Sequence, residues 1–440
     1  MSGSRPSLQP EKAEQEEEPT VTPTSASEML LGQTSDEKFE LPKPRNYVRA
    51  FYTNYFVSQL DNSFLDQSYQ PFTGGGPLYL NPSFNGLIKL GLGDLFEDYK
   101  LVGAMRLSTS LDNAEYYLSL KNYKKRWDHI YNFNRKSLTA VIGDQYLEKV
   151  VITNLEYQSS YPFSEVEAIK GSVGFRYDHG VLQATDNVSL NAPDRFESYA
   201  QARFQYVYDN TIPKGLNLYN GLRGKVFFEH YQNISEFDAG LNVIGLDVRH
   251  YLPIHRTMIF ANRFAASTSF GASKLIYFMG GVDSWFSPDY NYETPIAQNE
   301  NYTFQTLATN MRGFHQNARN GNSFFVYNSE IRLPLFTYLL NRPIKSEFVK
   351  NFQINTFFDV GTAWTGRGPY APGNALNNTV IKNGSITVQL DRQREPMIYG
   401  YGFGLRSKVL GYFVRMDWAW GVEDGITLPR VFYLSLSQDF

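Results

Sequence analysis

The residues best placed for specific chemistry are one arginine and two carboxylates. Arg312 lies in the run Met311-Arg312-Gly313-Phe314, within a stretch of some fifty residues, about 271–321, that is polar and glycine-marked. Glu330 lies in the run Asn328–Arg332, and Asp359 in the run Phe357–Gly361. A guanidinium offers a planar fork to a carboxylate, so an arginine carried on a long loop could pin that loop in one register against Asp359 or Glu330. Gly400, Gly402 and Gly404 alternate along Tyr399–Arg406. Glycine at every second strand position leaves one face bare, with room for another backbone. Patterns of catalysis or metal binding are missing: there is no G-x-S-x-G, H-E-x-x-H or P-loop, and the six histidines (His129, His179, His230, His250, His255, His315) are scattered. Gly74-Gly75-Gly76 runs into Pro77 rather than a helix, so it is not a phosphate cradle. With no cysteine there is no thiolate ligand, no Cys nucleophile and no disulfide. The expectation is a protein that is not an enzyme and carries no metal and no cofactor.

The elements that must hold these groups are strands. Aromatic residues make up 16% of the chain, mostly Tyr and Phe, which suit strands and membrane interfaces. Mean hydropathy is −0.38 and no run of about 18 apolar residues occurs, which excludes a helical membrane protein but not a β-barrel, whose lipid-facing and lumen-facing residues alternate. Period-2 alternation recurs from Asn46 onward. Phe196, Ala200, Ala202, Phe204, Tyr206 and Tyr208 share one face; Glu197, Gln201, Arg203, Gln205 and Asp209 share the other. Sixteen such segments are expected: 47–58, 84–96, 100–110, 114–122, 127–136, 150–162, 167–179, 196–209, 221–232, 239–252 and 257–270, then 322–335, 352–364, 398–408, 412–421 and 430–440. Most are long enough to cross a bilayer at a tilt, and an even number suits a single-chain outer-membrane barrel. A soluble all-β sandwich would share the periodicity, but it would bury the charged faces in a dry core. A barrel places them in a water-filled lumen. The fold class expected is therefore all-β: a closed, 16-stranded antiparallel transmembrane β-barrel with a long inward-folded loop. Parity then puts Gln353, Asn355, Asp359 and Gly361 inside with Asn328, Glu330, Arg332, Gly400, Gly402 and Gly404, so an arginine from the loop can reach both carboxylates.

Residues 1–45 differ from this body. They hold nine acids and five bases, are rich in Glu, Pro, Ser and Thr, and cannot bury enough apolar surface to order themselves, so they are expected to be a disordered acidic linker ahead of a barrel over 46–440. They also lack the apolar core of an export signal. An outer-membrane destination therefore implies a leader lost from upstream, with Met1 not the natural start. A net charge of −3 gives no support for a nucleic-acid partner.

Several of these runs, in order, resemble the BamA/TamA-like bacterial surface-antigen barrels, which insert or translocate proteins at outer membranes. Met311-Arg312-Gly313-Phe314 resembles the family's V-R-G-F/Y signature on the sixth extracellular loop, and by count the loop here follows the eleventh strand, as it does in the family. Asn328–Phe336, Phe357–Trp364, Tyr399–Arg406 and Arg430–Phe440 resemble the four downstream segments. One departure is the 29-residue spacing, 282–310, between Gly280-Gly281 and the arginine motif, where the family has a few residues. The resemblance implies a loop folded into the barrel and a weakly paired seam between 47–58 and 430–440. It also implies a C-terminal assembly signal in which Phe432, Leu434, Leu436 and Phe440 face outward. The implied partners are the lipid bilayer, client outer-membrane or secreted polypeptides, and an upstream domain or accessory periplasmic proteins. A passive pore or structural surface-antigen barrel is the alternative, and a membrane-embedded hydrolase a third class.

Overall fold

The computed structural model describes residues 50–440 except 62–63, 75–84, 109–112, 143–145, 185, 341, 384–385, 392–393 and 437–438. The acidic linker 1–45, the start of the expected first strand, Gly75 to Pro77, Asp112 and Gln438 lie outside the described residues.

Sixteen strands form one antiparallel ladder in sequence order. They are β1 (Tyr52–Asp61), β2 (Asn85–Gly93), β3 (Tyr99–Leu107), β4 (Ala114–Asn122), β5 (Asp128–Ile142), β6 (Tyr146–Pro162), β7 (Glu167–Leu182) and β8 (Arg195–Asp209). The second half comprises β9 (Leu218–Asn233), β10 (Gly240–His255), β11 (Met258–Gly271), β12 (Ser323–Leu333), β13 (Gln353–Trp364), β14 (Ile398–Val409), β15 (Tyr412–Glu423) and β16 (Val431–Ser435). Two short strands, Ile212–Gly215 and Ile426–Thr427, extend the hairpins beside them. The alternation that predicts strands also fixes their faces. On β12, Asn328, Glu330 and Arg332 are buried while Tyr327 and Ile331 are exposed; on β13, Gln353, Asn355 and Asp359 are buried while Phe358 is exposed. Phe196, Phe204 and Tyr206 of β8 lie on the outer face. An apolar exterior around a charged interior is the inverse of a soluble sandwich and is what a bilayer requires.

The observed architecture departs from expectation in four respects. Strands β5 to β7 run 15 to 17 residues, longer than the alternation indicates, because the ladder continues through residues 137–142, 146–149 and 180–182 at their hairpin ends. The interior is a packed core as well as a charged wall: Leu275, Tyr277, Met279, Phe304, Met311, Phe314 and Phe324 cluster there. A four-stranded sheet fills it, formed by Arg319–Gly321, Lys274–Met279, Tyr302–Leu307 and Gln70–Pro71. The last of these comes from the β1–β2 connection, so a second segment enters the lumen beside the long loop.

The fourth departure is that the barrel is not closed. Among the described residues no ladder joins β1 to β16, and each edge bonds elsewhere. The Tyr412 hydroxyl of β15 accepts from the Leu60 N–H at 3.2 Å and donates to the Leu60 carbonyl at 2.9 Å. On the other side, the Phe286 N–H of the loop donates to the Leu434 carbonyl of β16 at 3.0 Å. The expected strand 430–440 stops at Ser435. Phe432 faces out, 44% exposed, and Leu434 is half-buried, but Phe440 is buried with Leu218, Tyr251, Ile259 and Ala261. The outward row expected through Phe440 is thus broken, because the chain beyond β16 turns inward toward a group of arginines.

Candidate functional site

The loop between β11 and β12 carries Arg312 to the wall at a place the backbone is shaped to receive it. Gly280, Gly281 and Gly313 have φ of 121°, 81° and 94°, a region open to glycine, and Gly281 and Met311 pair as a β-bridge. The pairing folds the loop onto itself and presents Arg312. The 282–310 stretch that sets this loop apart is structured: Tyr302–Leu307 within it runs parallel to Lys274–Met279.

Arg312 is 1% exposed and Asp359 0%. Its Nε and Nη2 donate to Asp359 Oδ2 and Oδ1 at 2.7 and 2.6 Å, its Nη1 donates to Glu330, and its backbone N–H reaches Asp359 Oδ2 at 3.2 Å. The guanidinium also lies over the Phe357 ring, 3.7 Å from its centre. Burial disfavours the charge on Arg312, but Asp359 and Glu330 outweigh it and hold its pKa above the usual arginine value. Met311 and Phe314 flank the arginine in the apolar core. The Tyr433 hydroxyl of β16 accepts from the Gly313 and Phe314 N–H groups, both at 2.9 Å, so the last strand is bonded to the same motif.

Glu330 is a hub. Besides Arg312, it accepts from Arg332 at 2.8 Å and from Arg406 at 2.8 and 3.1 Å. Three guanidiniums on one carboxylate were not foreseeable from alternation, which places arginines inside without saying which of them meet. Of the alternating glycines, Gly400 is the one at which a side chain would overlap the loop, at the Arg312 carbonyl. A Cβ at Gly402 would meet Phe357, one at Gly404 would meet Asp417 and Asn355, and one at Gly361 would meet the Phe325 backbone. Gly421 also faces the loop, since a Cβ there would meet the Gly313 carbonyl and the Phe314 ring. Of the four residues assigned to an assembly signal, Phe432 is exposed and Leu434 and Leu436 are half-buried. Phe440 approaches it through Arg332, whose guanidinium lies 4.7 Å from the ring centre.

The second lumen segment was also missed; the aromatic residues Phe64, Tyr69 and Phe72 in a polar connection were the available signal. Glu115 accepts from the Leu65 and Asp66 N–H groups at 2.8 and 2.9 Å, Lys136 donates to the Asp66 carbonyl at 2.9 Å, and Arg176 donates to the Tyr69 carbonyl at 2.7 Å. Tyr69 then packs on Tyr231 and on Phe304 of the loop.

No family model matches this sequence, and no curated protein does. Solved structures match the fold. BamA from Haemophilus ducreyi lacking POTRA domains 1–3 aligns over 88% of this chain and 70% of its own, at 12% identity and a TM-score of 0.52. CdiB from Acinetobacter baumannii aligns over 88% of this chain and 59% of its own, at 14% identity and a TM-score of 0.46. At these identities the likeness is one of fold: the chain shares the β-barrel fold of BamA.

Proposed function

We propose that this BamA-type barrel resides in the bacterial outer membrane and inserts or translocates polypeptides there, without enzymatic chemistry. The observation that carries the reading is the seam. Two strand edges that should pair with each other instead bond to a tyrosine side chain and to a loop. Such bonds exchange readily for a full ladder, and an exposed edge is the natural template for an incoming strand. The Arg312 site supports the same reading. It anchors the loop and, through Tyr433, the last strand, so one flank of the seam is held while the other has a light bond at Leu60. The packed lumen disfavours a passive pore, which needs an open channel. Lipid and client polypeptides are the partners in this reading, and an upstream domain or accessory periplasmic proteins would deliver the client.

The test is a reversible seam tether. The chain has no cysteine, so Leu60→Cys with Tyr412→Cys gives a unique pair for a short bis-maleimide containing a reducible link. In lipid vesicles, the tethered protein should insert a urea-denatured client barrel at background rate, with activity restored on reduction. Undiminished insertion while tethered would overturn the proposal.

A further inference from the structure

Beyond β16 the chain enters a site that neither the loop nor the seam requires. The Asp439 carboxylate accepts from Arg249 at 2.7 Å, from Arg332 at 3.0 Å, from the Tyr251 hydroxyl at 2.6 Å, and from Arg223. Arg415 donates to the Asp439 backbone carbonyl. Phe440 fills an apolar recess against Leu218, Ile259 and Ala261, with the Arg332 guanidinium over its ring. One dipeptide is therefore recognised three ways: by side-chain charge, by backbone carbonyl and by ring shape. An open cavity of about 280 Å³ adjoins the site at Arg223 and Arg249.

The occupant has another place to go. β16 pairs with β15 only from Ala419 to Arg415, and β15 continues to Tyr412. Tyr412 is where a phenol bonds Leu60 across the position a longer β16 would fill. If the segment took that position, the site would be left with a surplus of guanidiniums; among the described residues, Asp439 is the one carboxylate within salt-bridge reach of Arg223. Arg332 is fully buried and the Arg223 and Arg249 side chains are about three-quarters buried, so a surplus of positive charge there favours binding of another carboxylate.

We propose that this arginine cradle is a polypeptide-binding site selective for an aspartate followed by an aromatic residue, and that Asp439–Phe440 occupy it in cis. The inference rests on the reading that the barrel handles polypeptides. Its test uses a fluorescein-labelled peptide of residues 431–440, its Asp439→Asn counterpart, and the full chain in detergent. A chain with Asp439→Asn and Phe440→Ala, which empties the cradle, should bind the peptide at least ten-fold more tightly than the unmodified chain. The Asn peptide should bind at least ten-fold more weakly, and adding Arg223→Gln should abolish binding. Equal affinity for both chains overturns the proposal. So does binding indifferent to the peptide's aspartate or to Arg223, which would mark backbone pairing at the seam.

If the emptied chain does not fold, a spin label at Leu436→Cys in the otherwise unmodified chain carries the test. Excess Asp peptide should mobilise the label and the Asn peptide should not; no change with either overturns the proposal. Client insertion is scored in parallel. Insertion without cradle binding refutes this inference alone, whereas cradle binding without insertion refutes the functional reading.

Discussion

Among the described residues, Arg312 makes every side-chain salt bridge of Asp359, while Glu330 keeps Arg332 and Arg406 whatever happens to the loop. Replacing Arg312 with alanine therefore leaves one buried carboxylate uncompensated, not two. Breaking a buried pair from one side typically costs about 3–5 kcal/mol. Arg312→Ala should leave a folded, heat-modifiable barrel whose loop 272–322 is cut rapidly by protease and whose client insertion falls at least several-fold. Arg312→Lys should rescue little, because an ammonium cannot reproduce the two-pronged contact. Gly400→Ala should mimic the arginine loss by pushing the Arg312 carbonyl away, and loop proteolysis reports it directly. The pH dependence has a definite sign. A pKa raised on folding gives stability that is complete below the unfolded arginine value and lost only as pH rises through the still higher folded one. Loop protection should accordingly be flat from about pH 6 to about pH 10. The Arg312–Asp359 contact was legible in the sequence because parity alone puts Asp359 inside. The Glu330 hub was not, since the meeting of Arg312, Arg332 and Arg406 depends on strand stagger and on where the loop lands.

Strands are secured here by length and by neighbours; β1 and β16 each lack a second neighbouring ladder, and β16 is also the shortest of the sixteen. β6 pairs on both sides over nearly its full length, whereas β1 has a ladder on one side and a single tyrosine on the other. Amide exchange of β1 should be faster than that of β6 and β7 by at least ten-fold, and Tyr412→Phe should raise it further at Leu60. Uniform protection around the barrel would contradict the open seam. Element order and most strand faces were legible because a membrane barrel enforces alternation on every strand that touches lipid. The last strand escaped the rule at its end. Phe432 and Leu434 follow the outward period, but extending that period to Phe440 assumes the chain stays in the sheet, and the arginines and Tyr251 offer Asp439 more than an unpaired edge does. The β1–β2 connection escaped for the opposite reason: its segment has no strand period, and its placement depends on Glu115, Lys136 and Arg176, each from a different strand.

At the scale of the molecule, the lumen holds a sheet of its own, and the wall grips it from both halves of the barrel. In planar bilayers the intact protein should show little steady conductance, while deletion of 275–320 should open a conducting pore; a large conductance in the intact chain would argue for the passive-barrel alternative. The internal sheet also has a consequence in time. Gln70 and Pro71 pair with Gln305 and Phe304, and Tyr69 lies under Phe304. These partners come from the connections after the first and the eleventh of the sixteen strands, far apart in the sequence. The connection after β1 can lock only when the loop after β11 has arrived, and neither can lock before the strands that grip them have lined up. Loop closure over such separations is slow compared with hairpin formation between neighbours. The internal sheet is therefore expected to be the last part of this protein to be completed, after a stage in which the wall is standing and the interior is still vacant.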